Sequence, residues 1–171
     1  MATQKLIKKL IDRIIEDEGG YVDHRADKGG RTKFGISQRA YPNLDIKNLT
    51  KEDAFKIYLR DYWLGPKLDA ISEAIAGDPS HDLVLGKVLA AAVTSGPQTA
   101  FKCVQRALRA NGLYTADDGR LGPKTLALLS KAGPGLLPAL RSELASHYRC
   151  IVARDGSQAV FLSGWLKRAY E

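Results

Sequence analysis

An apolar stripe recurs at three- and four-residue steps through KLIKKLIDRIIEDE, residues 5–18, as Leu6, Ile7, Leu10, Ile11, Ile14 and Ile15. That period fits one face of an α-helix and nothing else of similar length. Gly19 and Gly20 then stop the helix, because glycine is the residue that most readily leaves helical geometry at a C-terminus. The last residue in line is an acid. Glu18 falls four residues after Ile14 and so is predicted to continue the stripe, whereas Asp12, Glu16 and Asp17 lie off it and face water.

An acid at the end of an apolar stripe is expected to be partly desolvated, which disfavours its charged form and raises its pKa. A carboxyl group still protonated near neutral pH is what a general acid in glycoside cleavage must be. The following stretch, YVDHRADKGGRTKFGIS, reads as a β-hairpin: Tyr21 and Val22 on one arm, Phe34, Gly35 and Ile36 on the other, and Asp27-Lys28-Gly29-Gly30 as the turn. A helix end followed by a hairpin can fold Glu18, Asp27 and Thr32 toward one another across a groove. Asp27 could then orient or deprotonate a water or stabilise an oxocarbenium-like ring, with the Thr32 hydroxyl holding that water in line. Taken singly, each residue has an ordinary structural reading: a solvated acid before a C-cap, a turn former, a strand hydroxyl. The combination, in this order, is the stronger signal.

Beyond the hairpin the chain reads as helices. Thr50 is a good N-cap for KEDAFKIYLRDYW. On it Tyr58, Tyr62 and Trp63 could line a sugar groove, since aromatic faces stack on the apolar faces of pyranose rings, or could equally be core. Residues 64–80 are predicted to form a loop with one short helix, and 83–94 a central buried helix, apolar nearly all round. Residues 98–110 are predicted to turn Ala100, Phe101, Val104, Ala107 and Leu108 inward. Two further helices are expected over 136–153 and 158–170, with Trp165 as a core anchor or rim contact, the former preferred.

With 171 residues and 44% apolar content, the chain can form one sizeable core or two small lobes. Lys plus Arg outnumber Asp plus Glu by 26 to 19, a net charge of +7 and a pI near 9.4, which favours adsorption to an anionic polymer without choosing one. The basic residues are scattered and form no groove-entering nucleic-acid motif. Cys103 and Cys150 are the only cysteines, far apart and in apolar helical stretches, so buried free thiols are expected. His24, His81 and His147 have no metal-ligand spacing. A zinc amidase or a Cys/His hydrolase is therefore disfavoured. No apolar run approaches bilayer length, and the start of the chain carries charges throughout, unlike a signal peptide.

The stretch EGGYVDHRADKGGRTKFGIS, Glu18 to Ser37, resembles the signature of glycoside hydrolase family 108, muramidases found as phage endolysins and in bacterial secretion-associated loci. The order of its acid, Asp and Thr also resembles that of phage-type lysozymes. Similarity extends through the Tyr58/Tyr62-Trp63 helix, the Ser95-Gly96-Pro97 turn, DGRLGPKT from Asp118 to Thr125, and FLSGWLKR from Phe161 to Arg168. The last two resemble the small helical, peptidoglycan-binding module that usually follows this catalytic region, although turn and helix-start chemistry accounts for every residue of DGRLGPKT.

The resemblance places the family's catalytic acid on Glu18, and the Asp and Thr of the wider lysozyme pattern on Asp27 and Thr32. It departs after Tyr21-Val22, where Asp23-His24-Arg25 stands instead of Asn-Asp-Pro. Asp23 therefore becomes a rival second carboxylate, while Tyr21, Asp23, Tyr58, Tyr62 and Trp63 become candidate substrate contacts.

The expected fold is mainly α (α+β), lysozyme-like, a helical bundle with one small β-hairpin beside an active-site cleft. Residues 1–96 would be the muramidase region and 97–171 a C-terminal helical lobe packed with it. The expected activity is hydrolysis of the β-1,4 bond between N-acetylmuramic acid and N-acetylglucosamine in peptidoglycan, with no metal and no cofactor. The expected partner is peptidoglycan, not nucleic acid, with no stable membrane insertion. A monomer made in the host cytoplasm would then act in the periplasm or cell wall, with a holin-type partner for export. Rival classes are a lytic transglycosylase using Glu18 alone, a non-catalytic wall-binding protein, and a cationic membrane disruptor.

Overall fold

The structure is a computed structural model that describes residues 2–21 and 30–171. It is mainly helical with one small antiparallel sheet, as the sequence predicts. The chain divides into two compact units, residues 2–66 and 67–171. None of the described helices is long and apolar enough to cross a membrane.

In the first unit, helix α1 (Gln4–Glu18) is opened by Thr3, whose side chain accepts from the Leu6 N–H at 3.2 Å. Ile11 and Ile15 of its stripe are buried. Gly19, at φ 77°, ends it. Strands β1 (Thr32–Lys33) and β2 (Ile36–Ser37) pair Thr32 with Ser37 and Lys33 with Ile36. Helix α2 (Lys51–Tyr58) begins with a reciprocal capping box between Thr50 and Asp53, packs on α1, and runs into a π-helical turn, Leu59–Leu64. Ile36, Ile46, Leu49, Ala54, Ile57, Tyr58 and Trp63 complete this core.

The described strands make a turn that the sequence reading did not place: Phe34-Gly35, with φ of 52° and 74°, joins β1 to β2. A two-residue type I′ connection between antiparallel strands takes positive φ at both central positions, which matches the strand twist. Phe34 pays roughly 1–2 kcal/mol for that conformation. Its carbonyl is met by the buried Tyr58 hydroxyl, which donates at 2.8 Å. Glycine is favoured at position 35 on two grounds. Beyond its φ, a Cβ there would lie 2.6 Å from Tyr58 Oη and 2.9 Å from Glu18 Cγ. The Val22 arm and residues 27–29 of the expected turn lie outside the described residues.

The second unit contains α3 (Leu68–Ala74), α4 (His81–Ser95), α5 (Pro97–Ala110), α6 (Pro123–Leu129), α7 (Leu136–Arg154) and α8 (Ala159–Tyr170). Its core lies where α5 packs on both α4 and α7, with α8 against α7. The inward residues predicted for α5 are all buried, and Val84, Leu85, Val88 and Leu89 of α4 are buried with them. Leu83, at the start of that helix, is exposed.

One α5 residue is a buried amide. Gln105 is 1% exposed. Its Nε2 donates to Asp118 Oδ1 (2.8 Å) and the Arg120 carbonyl (3.0 Å), and its Oε1 accepts from the Gly119 N–H (2.8 Å). These bonds hold the Asp118–Gly122 loop, and at Gly119 (φ 74°) a Cβ would meet Gln98 at 2.5 Å. The residues of DGRLG thus have structural reasons of their own.

Two substitutions test these arguments. Gly35→Ala is expected to destabilise the protein by about 1–3 kcal/mol through backbone strain, with a further contribution from the clash, read as a lowered denaturant midpoint. Gln105→Leu orphans the buried Gly119 N–H and is expected to cost about 1–3 kcal/mol. An unchanged midpoint for either variant would contradict its argument.

Candidate active site

Glu18 is the last residue of α1 and is exposed. The expectation that it extends the buried stripe is corrected: the stripe closes at Ile15, and the chain turns away at Gly19. What covers Glu18 on the hairpin side is Gly35, which has no side chain. An added Cβ would sit 2.9 Å from Glu18 Cγ, 3.0 Å from Glu18 Oε2 and 2.6 Å from Tyr58 Oη. The acid, the strained turn and the Tyr58 phenol therefore converge on one point.

Two phenols feel this carboxylate. Tyr58 has its pKa raised, first by burial and next by the charge of Glu18. Tyr62 is raised by burial, then by Asp61 and Glu18. The rings of Tyr58 and Tyr62 lie tilted with centroids 5.6 Å apart. Both phenols stay protonated at any working pH and act as neutral dipoles.

Of the candidate substrate contacts, Tyr58 and Trp63 are 2% and 0% exposed. Neither offers a ring face to a sugar, which corrects that assignment: they are core, turned inward by α2 and the π-helical turn. Tyr62 is half-buried and Tyr21 is 39% exposed, so each has surface free for contact. Thr32 is half-buried in β1, and its hydroxyl donates to the Gly30 carbonyl at 3.2 Å. Asp23, His24, Arg25 and Asp27 lie outside the described residues.

Sequence reasoning missed a polar cluster on the same unit. Tyr41 Oη donates to Asp61 Oδ2 at 2.7 Å, and Arg60 pairs with both oxygens of Asp61 at 2.6 and 2.8 Å. Hydrogen bonding from Arg60 holds the Asp61 carboxyl below its ordinary range, while burial and Asp61 raise the Tyr41 phenol. Tyr62 lies between Asp61 and Glu18 electrostatically. No short-range spacing signals this: Tyr41 and Asp61 meet only because the chain turns back after the hairpin. That reversal is held by Gln38, whose amide donates to the carbonyls of Pro42 and Leu44, each at 2.9 Å.

A separate cavity of about 360 Å³ lies along α1 and α2, lined by Lys8, Asp12, Ile15, Glu16, Lys51, Glu52 and Phe55. Its acids and ammonium groups are mixed, Lys8 is paired with Asp12, and Glu18 is not part of its wall. Among the described residues there is no cluster of His, Cys, Asp and Glu able to hold a metal ion.

In the second unit both cysteines are free thiols. Cys103 is buried, its pKa pushed up to about 11 by burial. Cys150 is exposed, correcting the expectation that both are buried: it sits on the outer side of α7. Trp165 is half-buried rather than core, stacked 5.8 Å from the exposed Phe161 ring and 5.5 Å from buried Tyr148.

Residues 11–79 match the family model described as glycosyl hydrolase 108, and residues 99–170 match the one described as predicted peptidoglycan domain. No curated protein matches the chain. Among solved structures it is similar to SagA of Brucella abortus, at 28% identity and a TM-score of 0.73, over 98% of this chain and 91% of that one. The chain thus carries one segment similar to glycosyl hydrolase 108 and one similar to a predicted peptidoglycan domain, a combination that supports a peptidoglycan-degrading function.

Proposed function

We propose that this protein is an N-acetylmuramidase that hydrolyses the β-1,4 bond between N-acetylmuramic acid and N-acetylglucosamine, with Glu18 as the general acid. The observation that carries the reading is the position of Glu18. It is an exposed acid at a helix end, beside Gly35 of the turn and within electrostatic reach of two neutral phenols. Such a group can reach a glycosidic oxygen from a rigid base, and general-acid catalysis requires that geometry before any tuning of pKa.

The chemistry needs a second group. Asp27, with Asp23 as its alternative, would stabilise the positive charge that develops on the muramic ring or activate the attacking water. Thr32 suits a supporting role. Its proton is used on the Gly30 carbonyl, so its oxygen lone pairs are left to accept from a water and set its orientation. Tyr21 and Tyr62 supply the sugar contacts in this reading. The net charge of +7 draws the protein to an anionic envelope.

The functional division is placed at 1–96 and 97–171, the second part engaging the wall. The biological setting is lysis of a host cell by a monomeric phage-type endolysin that reaches the wall through a holin or cell breakage.

Purified peptidoglycan treated with wild type, Glu18→Gln and Asp27→Asn, followed by reducing-end assay and mass spectrometry, tests the proposal. Wild type is expected to release reducing N-acetylmuramic ends. Glu18→Gln is expected to lose about 10²- to 10⁴-fold of the rate while its stability stays within about 0.5 kcal/mol, as for an exposed site. Anhydro-sugar products would replace the hydrolase by a transglycosylase. Intact murein after wild-type treatment, or full activity in Glu18→Gln, would overturn the assignment.

A further inference from the structure

Helix α8 packs on α7 and buries Ala169. Its C-terminal carbonyls are tied to other helices: Lys87 of α4 donates to the Arg168 carbonyl, and Arg141 of α7 donates to the Glu171 carbonyl at 3.1 Å. The helix is therefore a fixed support. Its outer side is apolar where a surface helix ordinarily carries charge. Val160 is exposed there, and Phe161 is 54% exposed although its ring is stacked with that of Trp165, which rests in turn on buried Tyr148.

Gly164 lies in the middle of this face. It falls three residues after Phe161 and four before the exposed Arg168, so the three share one side of the helix. Glycine destabilises a helix interior relative to alanine, and neither backbone nor packing requires it here. Its φ is outside the left-handed region, and a Cβ at 164 would meet nothing within 4 Å among the described residues. Gly35 and Gly119 differ, since a Cβ at either would strike a neighbour. For Gly164 the remaining use of a missing side chain is close approach of a ligand to the backbone from outside.

We propose that the outer face of α8 is a saccharide platform: an N-acetylated pyranose ring stacks on Phe161, backed by Trp165, and lies close over Gly164. The proposal deepens, and rests on, the reading that the C-terminal part engages the wall. Aromatic faces pair with the apolar faces of sugar rings, and stacking on Trp165 restricts the Phe161 ring before any ligand arrives. Arg168 adds a cation to the same face. The acids nearest to it in sequence are engaged elsewhere, Asp155 with Ser157 and Gln158, and Glu171 with Lys167. A glycan strand whose attached peptides bear carboxylates complements an apolar surface that ends in a positive charge.

The test reads binding and is kept apart from catalysis by taking Glu18→Gln as the parent protein. In cosedimentation with purified peptidoglycan, Phe161→Ala is expected to weaken binding by about three- to tenfold, the worth of one aromatic contact. Gly164→Gln puts a good helix former over the same spot. It is expected to raise the denaturant midpoint and yet weaken binding as much, a combination that lost folding does not give. Of the two tryptophans, Trp63 is buried. The N-acetylglucosamine tetramer, a glycan without peptide, is therefore expected to shift an emission that Trp165→Phe removes. Parent binding that neither variant weakens would overturn the platform and leave the wall-engaging reading standing; a parent that does not bind peptidoglycan would end both. An emission that does not respond to the tetramer would overturn the saccharide class. Self-association, or adsorption to phosphatidylglycerol vesicles, that Phe161→Ala abolishes while peptidoglycan binding persists would give the face to a second copy or to lipid and overturn the proposal.

Discussion

The hydrogen bond from Tyr58 to the Phe34 carbonyl joins the two halves of the N-terminal unit. On one side is a helix core built on Ile11, Ile15, Ala54 and Ile57; on the other, a hairpin of two residues per strand. So small a hairpin is not stable by itself in water, and its turn holds a phenylalanine at φ 52°. A buried hydrogen bond contributes on the order of 0.5–1.5 kcal/mol net, comparable to the strain of one left-handed residue. The turn therefore keeps its shape only where the phenol meets it. Gly35, the second residue of the turn, takes its place from that contact.

The same geometry separates what holds the acid from what the acid does. Tyr58 and the α1–α2 core are buried, while Glu18 is exposed. In the proposed reaction water can therefore return a proton to it after each turnover without the unit opening. The π-helical turn extends this logic. It continues α2 without a break and places Tyr62 beside Tyr58 and Asp61 against Tyr41. Irregular helical turns of this kind are frequent at functional sites because they reorient side chains that a regular helix would space evenly.

Much of this was legible in residue order. The α1 stripe and its glycine stop, the Thr50 cap, the inward face of α5 and the two C-terminal helices follow from periodicity and capping chemistry, and the structure has them. Glu18 was legible as the end of a stripe but not as exposed, because periodicity assigns a face and says nothing of whether a neighbour covers it. The reversal at Phe34-Gly35 was not legible, because Phe-Gly is poor in turn formers and the reason for it, the closeness of Tyr58 and Glu18 to Gly35, is tertiary. Trp63 and Tyr58 look the same in sequence whether they face a sugar or a core. The contacts of Tyr41 with Asp61 and of Gln105 with the 118–120 loop are tertiary, with no local spacing to announce them.

Gln105 also bears on how far a motif should be read as function. DGRLGPKT is similar to a stretch of a wall-binding module, yet its Asp118 carboxylate and Gly119 N–H are consumed by one buried amide. A carboxylate whose Oδ1 already accepts from Gln105 and from the Arg120 N–H has less to offer a glycan than a free one. In the second unit the surface better suited to a sugar is therefore aromatic, the exposed ring of Phe161 stacked on Trp165. The same criterion applied to the first unit sets Asp61 aside: it is saturated by Arg60 and Tyr41 and held ionised, which disqualifies it as a proton donor.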